Sequence, residues 1–308
     1  MKENGKNVLL LDAGDLLFGK YVSPPQETEI MALTQKAQLI IESFNMMGYD
    51  AVGIGDDDLT LGKAFLVGAA KKALFPILAS NLLDEDSGKP LFQTSLIKEV
   101  QGLRIGIFSL LSADAFLGQG DGRKKGIILA SPTDTARSIL KELQPKTDLI
   151  VLLSHLGYPK DMELAQSVPG IHMIVGSHTG LHLTNPPVVQ NTVILQAGTK
   201  GMSAAKMEVV LHPHETTFYN IQTKRSLENN LNNLRLRLLN SKIPGQEKTQ
   251  LLKTKEDTER RLAQLQGKNE FTNTISPLTE QMNDLPEIVK LIDAYHARFP
   301  EPAHAPPK

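Results

Sequence analysis

Apolar residues along this chain follow two patterns, and the pattern changes near residue 222. Before that point they come in short continuous runs stopped by glycine and polar residues: NVLLLDAGD (7–15), YDAVGIGDDD (49–58), FPILAS (75–80), DLIVLLSHLG (148–157), IHMIVGSHTGLHL (171–183) and NTVILQAG (191–198). Runs of this length bounded by turn residues predict buried strands. LFQTSLIKEV and LRIGIFSLLS, separated by Gln101-Gly102, predict a hairpin, and AKMEVVL and TTFYNIQ a second one across the His-Pro turn at 212–215. Between strands the spacing predicts helices. Residues 27–47 set Ile30, Met31, Ala37, Ile40, Ile41, Phe44 and Met47 at helical intervals, with Gly48 as terminator. A short helix is expected over 63–73, and Ser131-Pro132 opens another that runs to about Leu143. Strands alternating with helices indicate an α/β fold.

From residue 223 glycine nearly vanishes and leucines fall at 227, 231, 234 and 238, the four-three alternation of a heptad seam. Ile243-Pro244-Gly245 breaks the seam, and Leu251, Thr258, Leu262 and Leu265 resume it, which predicts an antiparallel helical hairpin. The expected organisation is one α/β domain over 1–222, the hairpin over 223–268, and over 269–308 a linker, a short helix at 286–298 and a disordered tail, PEPAHAPPK. The seam suits packing, or association into a homo-oligomer.

Composition narrows the functional classes. Lys and Arg number 33 against 34 Asp and Glu, a net charge of −1, so no overall field draws in nucleic acid or an anionic membrane. The absence of cysteine excludes disulfides, thiolate ligands, cysteine nucleophiles and c-type haem attachment within these residues. No apolar run approaches the ~20 residues of a membrane helix. MKENGK leads straight into a strand pattern and lacks the form of a signal peptide, so the chain is expected to be cytosolic, or a fragment parted from its leader.

The candidate chemistry sits where the strands end. Asp15 closes the first run, Asp56, Asp57 and Asp58 the second, and His155 and His178 the two histidine runs. In α/β sheets ligands collect beyond the carboxyl ends of the strands, because a rigid scaffold holds the loops there. Two readings stay open for the histidines: a metal site, or loop imidazoles satisfied by backbone and water. Three adjacent carboxylates likewise suit either a cation or basic partner, or a solvated acidic turn. GQGDGRKKG (118–126) lacks the Gly-Lys-Ser/Thr ending of a P-loop and reads as a basic surface loop, while GIGDDD lacks the third glycine of a dinucleotide fingerprint. His212 and His214 read as solvent-facing.

LLLDAGD, AVGIGDDD, LIVLLSHLG and IVGSHTGLHL, in this order and approximate spacing, resemble the motifs of the calcineurin-like metallophosphoesterases. More narrowly, residues 1 to about 222 resemble the catalytic domain of bacterial 5′-nucleotidases, UDP-sugar hydrolases and 2′,3′-cyclic-nucleotide phosphodiesterases. The resemblance implies two facing mixed β-sheets flanked by helices, with two metal ions at the strand ends. It also implies roles: Asp15 matches the bridging aspartate, Asp56 replaces an asparagine ligand, His155 matches a metal-binding histidine, and His178 the first of a Gly-His-x-His pair. These four would hold one divalent ion, Zn, Mn or Fe.

The chain departs from the family in three places. No Asp-x-His motif precedes Asp15, Gly180 stands at the second histidine of the pair, and Asp57 stands at the histidine that contacts phosphate, a role an anion is expected not to serve. One ion is therefore expected rather than two, with His182 as a candidate substitute ligand. Nucleotidases of this group bind the base with a separate α/β domain, whereas residues 223–308 read as helical, so nucleotide specificity is not carried over. The function implied is a metal-dependent phosphoester hydrolase of the 5′-nucleotidase type with an incomplete dinuclear site, periplasmic or otherwise extracytoplasmic, acting on a phosphorylated small molecule such as a nucleotide. The alternative is a catalytically degenerate binding or assembly module, part of a larger extracytoplasmic redox protein.

Overall fold

The computed structural model of the chain describes residues 8–213, 215–239 and 243–300, so the expectations for His214 and for the tail from residue 301 fall outside it. In chain order the first half holds β1 (Leu11–Asp12), α1 (Glu27–Met47), β2 (Ala51–Gly53), α2 (Gly62–Ala70), β3 (Ile77–Leu78), β4 (Leu82–Asp84), β5 (Ser95–Val100), β6 (Leu103–Leu111) and β7 (Ile127–Leu129). Then follow α3 (Pro132–Leu143), β8 (Leu149–His155), α4 (Tyr158–Ser167), β9 (Met173–Gly176), β10 (Val188–Val189), β11 (Thr192–Leu195) and β12 (Ser203–Val210). The last part holds β13 (Phe218–Asn220), α5 (Ile221–Leu238), α6 (Gly245–Ala263), β14 (Asn269–Pro277) and α7 (Pro286–Arg298).

Three sheets form two facing layers. One is six-stranded, ordered β10-β11-β9-β8-β6-β5, parallel through its four inner strands and antiparallel at both edges. Opposite it lie the parallel sheet β1-β2-β3 and the mixed sheet β12-β14-β13. Alternation along the inner strands assigns each side chain a layer. Ile105 and Ile107 of β6 and Leu149, Val151 and Leu153 of β8 meet Ala51, Leu78, Phe218 and Phe271 between the sheets. Their neighbours Phe108, Leu110, Ile150 and Leu152 point the other way, onto Ala136, Ile139 and Leu140 of α3 and Leu164 of α4. On the far side Ala37 and Ile41 of α1 and Leu66 of α2 cover Ile54 and Leu82. Each large aliphatic chain so buried contributes roughly 1.5–3 kcal/mol against exposure, which holds the helix–sheet–sheet–helix stack together.

The predicted helices over 27–47 and 132–143 form with those bounds, closed by Gly48 at φ 70° and opened by Ser131, whose side chain accepts the Asp134 N–H. The hairpin around Gln101-Gly102 also forms. The second predicted hairpin does not. Between β12 and β13 lies β14, paired antiparallel to β12 from Ser203↔Pro277 to Val210↔Glu270 and parallel to β13. Residues 269–277, expected within or beside a linker, are thus the middle strand of a sheet. Their sequence NEFTNTISP conceals this because most positions are polar, while Phe271, only 1% exposed, carries the apolar contact. Asn269 closes the connection: its Oδ1 accepts the His212 N–H and its Nδ2 donates to the Glu215 carbonyl. His212 is exposed.

Helices α5 and α6 pack against each other as the two arms of the expected hairpin. Leu227, Leu231 and Leu234 are buried on one arm and Leu251 and Thr258 on the other, and Arg235–Glu259 (3.1 Å) and Arg237–Glu247 (3.0 Å) cross between them. Among the described residues no helix is long and apolar enough to cross a membrane.

Candidate metal centre

Four parallel-strand ends converge at one rim. Gly14 and Asp15 follow β1, Asp56–Asp58 follow β2, His155 is the last residue of β8, and His178 lies two residues beyond β9. The first two loops touch directly. A Cβ on Gly14 would lie 2.3 Å from the Gly55 nitrogen, and one on Gly55 would lie 2.1 Å from Asp15 Oδ1, so both positions require glycine. Asp15 itself has φ 60° and His178 φ 71°, left-handed conformations that non-glycine residues adopt only where the surroundings enforce them.

Asp58 supplies much of that enforcement. Its Oδ1 accepts the N–H groups of Leu16 and Leu17 at 2.8 Å each, and its Oδ2 those of Asp15 and Gly55 at 2.9 Å each. The third carboxylate of the triplet is therefore a buried clasp for the loop that carries Asp15. Asp15 Oδ1 in turn accepts the Asp57 N–H at 2.9 Å, leaving Oδ2 for the centre of the cluster.

His155 is fully buried. Its Nδ1 lies 3.1 Å from the Ala13 carbonyl, and its Nε2 lies 3.2 Å from both Asp15 Oδ2 and Asp56 Oδ1. Donation from Nδ1 to Ala13 fixes the tautomer and aims Nε2 at the two carboxylates, as metal-ligating histidines are commonly held by a carbonyl behind the ring. Burial opposes a charge on this ring, but hydrogen bonds to Asp15 and Asp56 outweigh it and push the pKa up to about 10. His178 Nδ1 lies 3.6 Å from Asp56 Oδ1, and the two imidazole rings are 5.1 Å apart in an edge-on arrangement. Burial of Asp56 would favour its neutral form, yet the two histidines and Arg123 hold it well below the usual carboxylate range.

Asp15, Asp56, His155 and His178 thus each offer one ligand atom, all within 4.8 Å of one another. Three of the six donor separations, at 3.2–3.6 Å, lie near the ~3.4 Å edge of a tetrahedron around an ion with ~2.1 Å bonds. Two carboxylates and two imidazoles, the His155 ring giving up its Nε2 proton, would fit a borderline divalent cation. His182 is not in the group; it is exposed, and its backbone bridges to Ala197. Gly180 has φ 67°, and a Cβ there would lie 2.0 Å from Thr199 Cγ2, so a side chain at this position would strain the backbone and require the exposed Thr199 side chain to move.

Arg123, which the sequence sets on an apparently basic surface loop, is the functional neighbour that sequence reasoning misses. Its side chain is 2% exposed, and Nη1 donates to Asp56 Oδ2 (2.9 Å) and Asp57 Oδ1 (2.7 Å). Asp57, expected as an uncompensated anion before a substrate, is accordingly buried, with Oδ1 accepting from the Tyr21 N–H and from Arg123. The only sequence signal for this is Asp121 two residues before Arg123, with its Oδ1 on the Arg123 N–H.

No family model matches the chain. Protein UshA of Escherichia coli (strain K12) is 29% identical over 189 residues, 57% of this chain and 33% of that protein. The chain spans about a third of the length of the curated relatives it matches first. Among solved structures, a 5′-nucleotidase precursor from Thermus thermophilus is 28% identical, with TM-score 0.57 over 67% of this chain and 42% of that one. The calcineurin-like phosphoesterase YfkN from Bacillus subtilis, 16% identical, shares the fold with TM-score 0.60 over 96% of this chain and 86% of that one. By sequence and fold together, the chain resembles the catalytic domain of the 5′-nucleotidase-type, calcineurin-like metallophosphoesterases.

Proposed function

We propose that this chain is a metal-dependent phosphoester hydrolase domain built on a single divalent ion, held by Asp15, Asp56, His155 and His178. The observation that carries the reading is the convergence of those four ligand atoms within 4.8 Å at the rim of the facing sheets. A divalent ion bound there supplies Lewis-acid polarisation of a phosphoryl oxygen. The protein's own part is to hold that position. Ala13 fixes the His155 ring, Asp58 fixes the Asp15 loop, and His178, its side chain 34% exposed, forms the solvent side through which a phosphorylated small molecule reaches the centre. Asp57, drawn back onto Tyr21 and Arg123, is turned away from the work its family counterpart does. A nucleotide is the substrate class suggested by relatives named as 5′-nucleotidases, and the family resemblance favours an extracytoplasmic location.

Protein loaded with Mn²⁺ or Zn²⁺ and offered an aryl phosphate and a nucleoside 5′-monophosphate is expected to show turnover that EDTA and His155→Ala abolish. Stoichiometric metal binding without turnover would favour the second reading, a binding module of the same fold that has lost hydrolysis. Glycine at position 180 supports that second reading, since the resemblance puts a ligand of a second ion there.

A further inference from the structure

The two oxygens of Asp56 have different neighbours. Oδ1 faces His155 Nε2 at 3.2 Å and His178 Nδ1 at 3.6 Å, whereas Oδ2 accepts from Arg123 Nη1 at 2.9 Å. The rest of the guanidinium belongs to Asp121: Nε lies 3.1 and 3.2 Å from its two oxygens, and Nη2 2.7 Å from Oδ2. Asp121 is itself held by the N–H groups of Leu117 and Arg123. The Tyr21 ring, 4.1 Å from the guanidinium carbon, and Phe116, 5.1 Å away, close the flanks. A fork bound on so many sides cannot swing out to clamp a substrate. Asp121 alone would suffice to anchor the loop, since it already engages Nε and Nη2. The further reach of Nη1 to two carboxylates of the centre calls for its own reason.

Three carboxylates meeting in one buried place attract cations, and something must balance their charge. A planar guanidinium offsets one of those charges in a fixed orientation, which also sets the rotation of the carboxylate it binds. We propose that Arg123 is a positioning residue that keeps the centre mononuclear: it presents Asp56 Oδ1 to the two imidazoles and holds the Asp56–Asp57 edge against a second cation. This inference rests on the metal reading above, in that it assumes the Oδ1 side is the one that takes the ion. It also accounts for Asp57, whose charge Arg123 balances from within the protein.

The test counts ions. Wild type, Arg123→Lys and Arg123→Gln, each also with His178→Ala, are loaded with Mn²⁺, desalted and analysed for metal per chain. The expected result is one ion for wild type and Arg123→Lys, and two for Arg123→Gln, the added one surviving His178→Ala. An Arg123→Gln protein with no more metal than wild type overturns the proposal, as does equal uptake of a second ion by the lysine variant, which keeps the charge. If Arg123→Gln is poorly stable, its unfolding temperature is expected to rise with Mn²⁺ by more than that of wild type, and an equal rise overturns the proposal. A wild type that binds no ion refutes the four-ligand site and the mononuclear centre with it, whereas an ion bound by wild type with none added in Arg123→Gln overturns the role of Arg123 alone.

Discussion

Asp58 Oδ2 accepts the backbone N–H of Asp15 at 2.9 Å, so one carboxylate of the acidic triplet positions a carboxylate outside it by gripping its main chain. Asp58→Asn keeps the shape but turns an amide toward N–H groups, leaving donors facing donors in a buried place. A loss of about 2–3 kcal/mol in unfolding free energy is expected. Metal affinity is expected to fall with it, although Asp58 is not a ligand, and denaturant unfolding beside a metal titration checks both.

His155 and His178 are expected to separate stability from binding. His178→Ala removes a half-exposed ring held loosely against Asp56 and the His155 ring, and should leave the unfolding temperature nearly unchanged while weakening metal binding by more than about 100-fold. His155→Ala empties a fully buried position and unpairs two carboxylates, so both properties should drop. Calorimetric titration and thermal unfolding of the two variants give the comparison, and equal losses of stability would contradict it.

Asp121 makes the Arg123 contact acid-sensitive. The guanidinium holds the Asp121 pKa down to about 2, below its unfolded value. The pair's stabilisation is therefore full above about pH 4 and lost as pH falls through about 2. Asp121→Asn is expected to be less stable than wild type by on the order of 2 kcal/mol at pH 6, with the gap narrowing below pH 4. Unfolding free energies of the two proteins across pH 2–6 test this, and a gap that does not change with pH would refute it.

Gly180→His would restore the family residue without restoring a ligand. The left-handed backbone strains any side chain there, and the 2.0 Å approach requires Thr199 to move aside, at a cost of about 1–3 kcal/mol. A lower unfolding temperature with no gain in bound metal is expected, and a clear gain would show that the loop adapts.

The sequence makes legible what depends on neighbours along the chain. The helix over 27–47 follows from its own periodicity and its glycine cap, and the rim position of Asp15, His155 and His178 follows from each one closing an apolar run. What depends on distant partners stays hidden. Arg123 meets Asp56 and Asp57 across 67 and 66 residues, and nothing around it has a period that marks burial. Asp58 looks like its two acidic neighbours, because the backbone groups it holds reveal nothing in a string of letters. The strand over 269–277 reads as a linker because its burial rests on few apolar side chains and on hydrogen bonds to strands that precede it.

That strand also imposes an order on biosynthesis. Since β12 and β13 meet only through β14, a nascent chain emerging from the ribosome exposes two unsatisfied strand edges until residues 269–277 have followed the whole helical hairpin out. A chain released before residues 269–277 are made would keep those edges bare and be prone to join its fellows side by side, so completing the segment beyond the hairpin guards against aggregation.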